Sequence, residues 1–316
     1  MTILGALSAV ALVASVGSAM AQDQTAQQPS PTPAQSAGQE PVAEVGDVEV
    51  TARRLKEEVQ SFISEVAAPP RGRNLARWDR SICVGVANLD PRYAQVMVDR
   101  IARNAVELGL DVEEPGCRPD IMIVAAADAE ALAKALVKDD PNGFRPARNS
   151  TDRGSQALER FQASNAPVRW WHVSLPVSAD TGELAMRLDG EEPPTIAVRD
   201  ASRLRANIRD DLARVIVIID VSKIGRIGFG ALSDYIAMVA LAQVEPDADT
   251  SRYNTVLNLF AEGADRSAGL TQWDKDYLAS LYSARRDRAR ATQQTQDILR
   301  GMTGERDSRA AQDDTP

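Results

Sequence analysis

Hydrophobic positions divide the middle of the chain into alternating strands and helices. Two short apolar runs, ICVGVA from residue 82 and DIMIVAAA from residue 120, have the length and β-branched content of buried strands. Between them, apolar residues recur at helical spacing over 93–108, and Gly109 follows as a C-cap. A strand, a helix and a second strand in this order predict a parallel crossover.

The second half repeats this alternation. We expect a helix over 128–138, a strand over 168–177 and a buried strand over 215–221, followed by the helix ALSDYIAMVALAQV. Upstream, residues 47–66 predict a short strand and a helix. The pattern therefore indicates an α/β fold: a single domain over 45–285 whose core begins at about residue 75.

Both ends of the chain differ from this middle. Residues 2–21 are apolar or small, carry no charge and end in Ala19-Met20-Ala21, which predicts a signal peptide over 1–21. An uncleaved membrane anchor is the alternative; cleavage would leave no stable membrane span. Residues 22–44 are rich in Gln, Pro and Ser and predict a disordered linker. Residues 286–316 predict a polar tail, disordered or partly helical.

The composition excludes some kinds of metal site and some classes of partner. The 316 residues carry a net charge of −9 and a single histidine. One histidine excludes every metal site that needs two, and no cofactor is expected. The acidic balance argues against nucleic acid as a partner, because nucleic-acid binding requires Lys and Arg to neutralise phosphates.

The two cysteines lie near the starts of the first two predicted strands. Cys83 and Cys117 can therefore approach each other, and export to the periplasm or the medium favours a disulfide between them. In the chain-entropy model such a bridge contributes roughly 3–4 kcal/mol to the free energy of unfolding. A catalytic Cys–His pair is the alternative interpretation.

The strand VRWWHVSLPV holds two of the four tryptophans and the only histidine. Alternation places Trp170 and His172 on one face and Trp171 on the other. In one interpretation, one tryptophan is core, the other covers an edge and His172 is hydrogen-bonded beside it. In another, an exposed Trp face lines a groove for an extended ligand, by strand addition. A nucleophile activated by His172 is the third.

The order of elements in the second half resembles the zincin fold of metallopeptidases. There a strand leads into a helix bearing HExxHxxGxxH, then a methionine turn and a closing helix ending near Leu-Tyr. Here NTVLNLF over 254–260 falls at the turn, and GLTQWDKDYLASLY over 269–282 resembles the closing helix. Ser233 stands at the first histidine and Asp234 at the catalytic glutamate. Ala237 and Gln243 stand at the second and third histidines.

The resemblance implies a zincin-like mixed sheet with packed helices, and its missing ligands imply a pseudoenzyme. Zinc hydrolysis requires three protein ligands that polarise a water, and these positions do not supply them. The chain is also similar to exported proteins of Gram-negative bacteria to which no activity is assigned. We therefore expect a non-catalytic exported protein that binds an envelope protein or peptide. The alternative is a metal-independent hydrolase using carboxylates or Ser/His172.

Overall fold

The computed structural model describes residues 45–148, 151–192, 194–196, 198 and 205–313. The predicted signal peptide over 1–21 and the predicted linker over 22–44 lie outside the described residues. The strands are β1 (Ser81–Ile82), β2 (Val84–Ala87), β3 (Asp111–Val112), β4 (Ile121–Ala126), β5 (Val168–Ser178) and β6 (Ile208–Asp220). The helices are α1 (Val45–Val66), α2 (Pro91–Glu107), α3 (Ala129–Asp139), α4 (Pro141–Phe144), α5 (Ser155–Ala163), α6 (Phe229–Leu241), α7 (Gln272–Ser283) and α8 (Ala291–Asp313), with a 3₁₀ turn at Val256–Asn258.

Four strands form a mixed sheet in the order β2-β4-β6-β5. β2, β4 and β6 are parallel, whereas β5 runs antiparallel to β6 and lies at the edge. β1 and β3 form a separate parallel pair. These strands and helices confirm the predicted α/β class with a mixed sheet.

The predicted strand–helix–strand unit corresponds to β2, α2 and β4. Asp90 caps α2 by accepting a hydrogen bond from the Arg92 backbone N–H, and Pro91 occupies the first turn, where its missing N–H costs nothing. Gly109 follows the helix with a φ of +81°, as its assignment to the C-cap region requires.

Both faces of the sheet are covered, because alternate residues of β6 enter two separate cores. Val215 and Val217 pack among α1, α2, α6, α7 and α8. Ile216 and Ile218 pack against α3, α4 and α5 on the other side. A strand buried on both faces is nearly continuous in apolar residues, which explains the sequence VIVII.

Helix α1 extends the core ahead of the predicted start near residue 75. Val59, Phe62, Ile63 and Val66 follow the i, i+3, i+4, i+7 spacing of one helix face and are buried together. The short strand expected at the start of 47–66 is wrong, because that segment already belongs to the helix Val45–Val66.

Helix α8 places part of the predicted polar tail in the core. It packs against α1 and α7, and its Ile298, Leu299 and Met302 are buried. The Gln294 side-chain amide exchanges hydrogen bonds with the backbone N–H and C=O of Leu75, at 2.8 and 3.0 Å. The folded unit therefore extends beyond residue 285.

The disulfide prediction is confirmed. Cys83 and Cys117 are bonded, with their Cα atoms 6.1 Å apart. The bridge joins the chain between β1 and β2 to the loop that leads into β4, so it closes a loop containing α2. Neither thiol is free for the alternative role as a nucleophile.

Candidate functional site

A cavity of about 490 Å³ opens along the edge strand β5. We call it the β5 groove. Its walls come from α5, the loop that follows it, the first half of β5, and the chain at and after α6. It is lined by Arg153, Ala157, Arg160, Phe161, Ala163, Ser164, Asn165, Ala166, Val168, Arg169, Trp170, Trp171, His172, Tyr235, Val244, Pro246 and Asp247.

The backbone of β5 alternates between facing β6 and facing this groove. On the β4 side of β6, Val215 and Val221 donate their N–H groups to β4 residues or their neighbours. The neighbouring residue Asp220 faces the opposite side of β6, where its N–H donates to the Pro167 carbonyl at 2.8 Å. Arg169 and Trp171 pair with Ile218 and Ile216, so their backbone groups face β6.

Val168, Trp170 and His172 therefore direct their N–H and C=O groups away from β6. In the part of the chain that the structure describes, no strand pairs with this side of β5, and no backbone hydrogen bond engages these six groups. Further along the strand the edge is covered, because Ser174 donates its N–H to the Thr151 carbonyl at 2.8 Å. The unpaired stretch coincides with the groove.

The two tryptophans are buried on opposite faces of β5, only 5% and 4% exposed. The Trp170 indole N–H donates to the Val244 carbonyl at 2.9 Å, and that of Trp171 donates to the Phe144 carbonyl at 2.8 Å. The sequence analysis correctly placed the two tryptophans on opposite faces of the strand. Neither face exposes a tryptophan, however, because helices cover both sides of the sheet. Both tryptophans line the groove.

His172 lines the groove as a neutral side chain. Its Nε2 lies 2.7 Å from the Val239 carbonyl, which can only accept, so Nε2 carries the proton. Burial lowers the pKa of His172 to about 4. No hydroxyl or carboxylate of the described residues is hydrogen-bonded to the ring, and the buried Ser174 hydroxyl on the neighbouring stretch of β5 has no partner.

The polar side chains at the positions that correspond to the zincin motif each have a different protein partner. Ser233 donates its hydroxyl to the Phe229 carbonyl of its own helix, and Ala237 is buried. Asp234 faces α2, where Arg100 binds both carboxylate oxygens at 2.9 and 3.0 Å. Gln243 accepts a hydrogen bond from the Ala76 N–H at 2.7 Å.

These residues do not fit a zinc ion. Ala237 has no ligand atom, and the Ser233 and Gln243 side chains already have protein partners. Among the described residues, one group of three potential ligands lies close together: Cys83, Glu113 and Cys117. Because the disulfide consumes both sulfurs, that group is not a thiolate site either.

Two other clefts, of about 310 and 340 Å³, are lined by ion pairs. The first is rich in arginine, and aspartates pair with Arg205, Arg209 and Arg286. The second contains the Arg100–Asp234 pair. Neither cleft lies along an unpaired strand edge of the described chain, so the β5 groove is the stronger candidate for a ligand site.

The arginines of the β5 groove were not identified from the sequence. Arg153 and Arg160 come from the segment that leads into and forms α5, and Arg169 lies within β5. A signal existed for Arg169 alone, since a charged residue interrupts an otherwise apolar run between Val168 and Trp170. Arg153 and Arg160 lie in an ordinary polar stretch, and only the tertiary fold brings them to the edge strand.

Comparison with known proteins identifies no relative. No family model, no curated protein and no solved structure matches the chain. No helix within the described ranges is both long enough and apolar enough to cross a membrane. The function must therefore be inferred from the groove itself.

Proposed function

We propose that this protein is a non-catalytic binding protein that takes an extended peptide segment of a partner into the β5 groove. The observation that carries the proposal is the free backbone edge of Val168, Trp170 and His172 beside a cavity of about 490 Å³. A peptide strand laid along this edge would pair with three N–H and three C=O groups at a two-residue repeat. Main-chain pairing of this kind supplies affinity, and side-chain pockets supply specificity.

The location and architecture that we propose rest on the disulfide and on the order of the elements. The disulfide favours a compartment outside the cytoplasm, and we propose export by the signal peptide over 1–21. β6, α6, the 3₁₀ turn and α7 occur in the order that a zincin-like scaffold would have. The scaffold would then hold a peptide beside an edge strand without the zinc ligands needed to cleave it.

A groove-filling substitution tests the binding site. Ala163 is exposed at the end of α5 and lines the groove, so Ala163→Trp should obstruct it. Ala135, exposed on α3 away from the groove, provides the matched control Ala135→Trp. We expect wild type and Ala135→Trp to retain members of a synthetic random octapeptide library, and Ala163→Trp to lose at least about tenfold of that retention.

Equal retention by the two tryptophan variants would contradict binding in the groove. The non-catalytic part of the proposal is checked on the same library by mass spectrometry. Cleavage of octapeptides that survives a chelator and disappears in His172→Ala or Asp234→Asn would overturn it and favour the hydrolase.

A further inference from the structure

Arg169 is a buried cation without an ion pair. Its residue is 2% exposed, and in the described part of the chain no carboxylate lies within salt-bridge distance of its guanidinium. Nη1 donates to the carbonyls of Phe161 and Gln162, at 3.3 and 2.9 Å. Nε and Nη2 are buried, and no described residue accepts a hydrogen bond from either nitrogen. Buried charged groups are normally paired, so this arrangement calls for an explanation.

The nearby carboxylates do not supply the missing partner. Burial lowers the pKa of Arg169, and the more distant charges of Asp220, Glu130 and Asp128 only partly oppose that effect. Asp220 pairs with Lys223, and Glu130 pairs with Lys134. Asp128 accepts a hydrogen bond from the backbone N–H of Ala131 at the start of α3. Each carboxylate is thus engaged elsewhere.

The groove carries a positive charge excess in a protein with a net charge of −9. Three arginines and one aspartate line it. Arg153 forms an ion pair with Glu245, and Arg160 lies 3.6 Å from Asp247 with both side chains largely solvated. After these pairings Arg169 is the surplus cation, and it lies in β5 between two residues whose backbone faces the groove.

We propose that the peptide bound in the β5 groove carries a carboxylate, and that Nε and Nη2 of Arg169 bind it. These two nitrogens form the side of the guanidinium that matches both oxygens of a carboxylate. Both are covered by protein, so the guanidinium turns toward the cavity to make the contact. This inference rests on the proposed peptide-binding function and adds the chemistry of the ligand.

The carboxylate has two possible sources, a free C-terminus or an Asp or Glu side chain. Four synthetic octapeptide libraries separate them: free or amidated C-termini, each made with and without Asp and Glu. Retention on the immobilised protein is measured by mass spectrometry. We expect the wild-type protein to retain the library that has amidated C-termini and no Asp or Glu at least about tenfold less than the library that has both kinds of carboxylate. Whichever of the two single-source libraries is retained identifies the carboxylate.

Variants of Arg169 test whether its guanidinium binds the carboxylate of the peptide. Arg169→Met should abolish the carboxylate preference. Arg169→Lys should keep part of it, because lysine retains the charge but not the two-nitrogen fork. Arg92→Gln, at an exposed arginine of α2 outside the groove, is the control and should retain the preference. Circular dichroism establishes that each variant is folded, and Arg169→Lys still provides the test if Arg169→Met is not.

The outcomes separate the two proposals. Equal retention of all four libraries by wild type, lost in Ala163→Trp, would overturn the carboxylate inference and leave peptide binding intact. A carboxylate preference that survives in folded Arg169→Met would overturn the role of Arg169. If wild type retains no library, peptide binding itself fails.

Discussion

Two residues that the sequence analysis singled out as candidates for catalysis, Asp234 and His172, have structural roles in the folded protein. Asp234 stands at the position of the catalytic glutamate of the zincin motif. Both of its carboxylate oxygens accept hydrogen bonds from Arg100, and one also accepts a hydrogen bond from the Leu270 N–H. The hydrogen bond from Arg100 to the Asp234 carboxylate raises the pKa of Arg100. Asp234 thus links α6 to α2 and to the start of α7, a role that needs a carboxylate but no catalysis.

His172 should make the protein sensitive to acid. Burial lowers its pKa from 6.5 to about 4, so the unfolded chain binds a proton below about pH 6.5 while the folded protein does not. Its contribution to the free energy of unfolding is therefore lost as the pH falls from about 6.5 to about 4, and amounts to about 3 kcal/mol in total. Below that range both states are protonated, and the loss is complete.

The check uses the only histidine in the chain. His172→Gln keeps an N–H that can donate to Val239 but cannot titrate. Urea unfolding at intervals from pH 7 to pH 4 should give a steeper decline for wild type than for this variant. Parallel declines would show that His172 is solvated in the folded protein.

At the scale of elements, the buried strands were the most predictable part. The runs that became β4 and the second half of β6 are continuous in apolar residues, because these parallel strands lie inside the sheet and leave no polar side. The run that became β2 was expected to be buried as well, but β2 lies at the opposite edge of the sheet and is only partly buried. Helix α8 could not be located in this way. Its few apolar residues stand in a polar sequence, and they acquire a partner only when the fold brings α1 and α7 together.

The packing of α8 leads to a stability prediction. Ile298 is fully buried, so Ile298→Ala should lower the free energy of unfolding by about 2–5 kcal/mol. The control is Gln296→Ala, at an exposed position of the same helix, with an expected change within about 0.5 kcal/mol. Denaturant unfolding measures both. A disordered tail would make the two substitutions indistinguishable.

At the scale of the whole molecule, the site depends on strand order. The sequence indicated the strand at 168–177 and suggested strand addition, but not that β5 would lie at the sheet edge. It also did not indicate that α5 and the segment after α6 would flank that edge. Local pattern does not contain this information, because both features are set by which strands pair and which helices cover them.

The most direct test of strand addition is residue-resolved amide hydrogen exchange with and without an octapeptide retained by the wild-type protein. We predict that exchange slows at least about tenfold at Val168, Trp170 and His172. Arg169 and Trp171 should change little, because their N–H groups already face β6. Bound peptide with no slowing at the three outward amides would contradict the proposal that the β5 edge is the binding site.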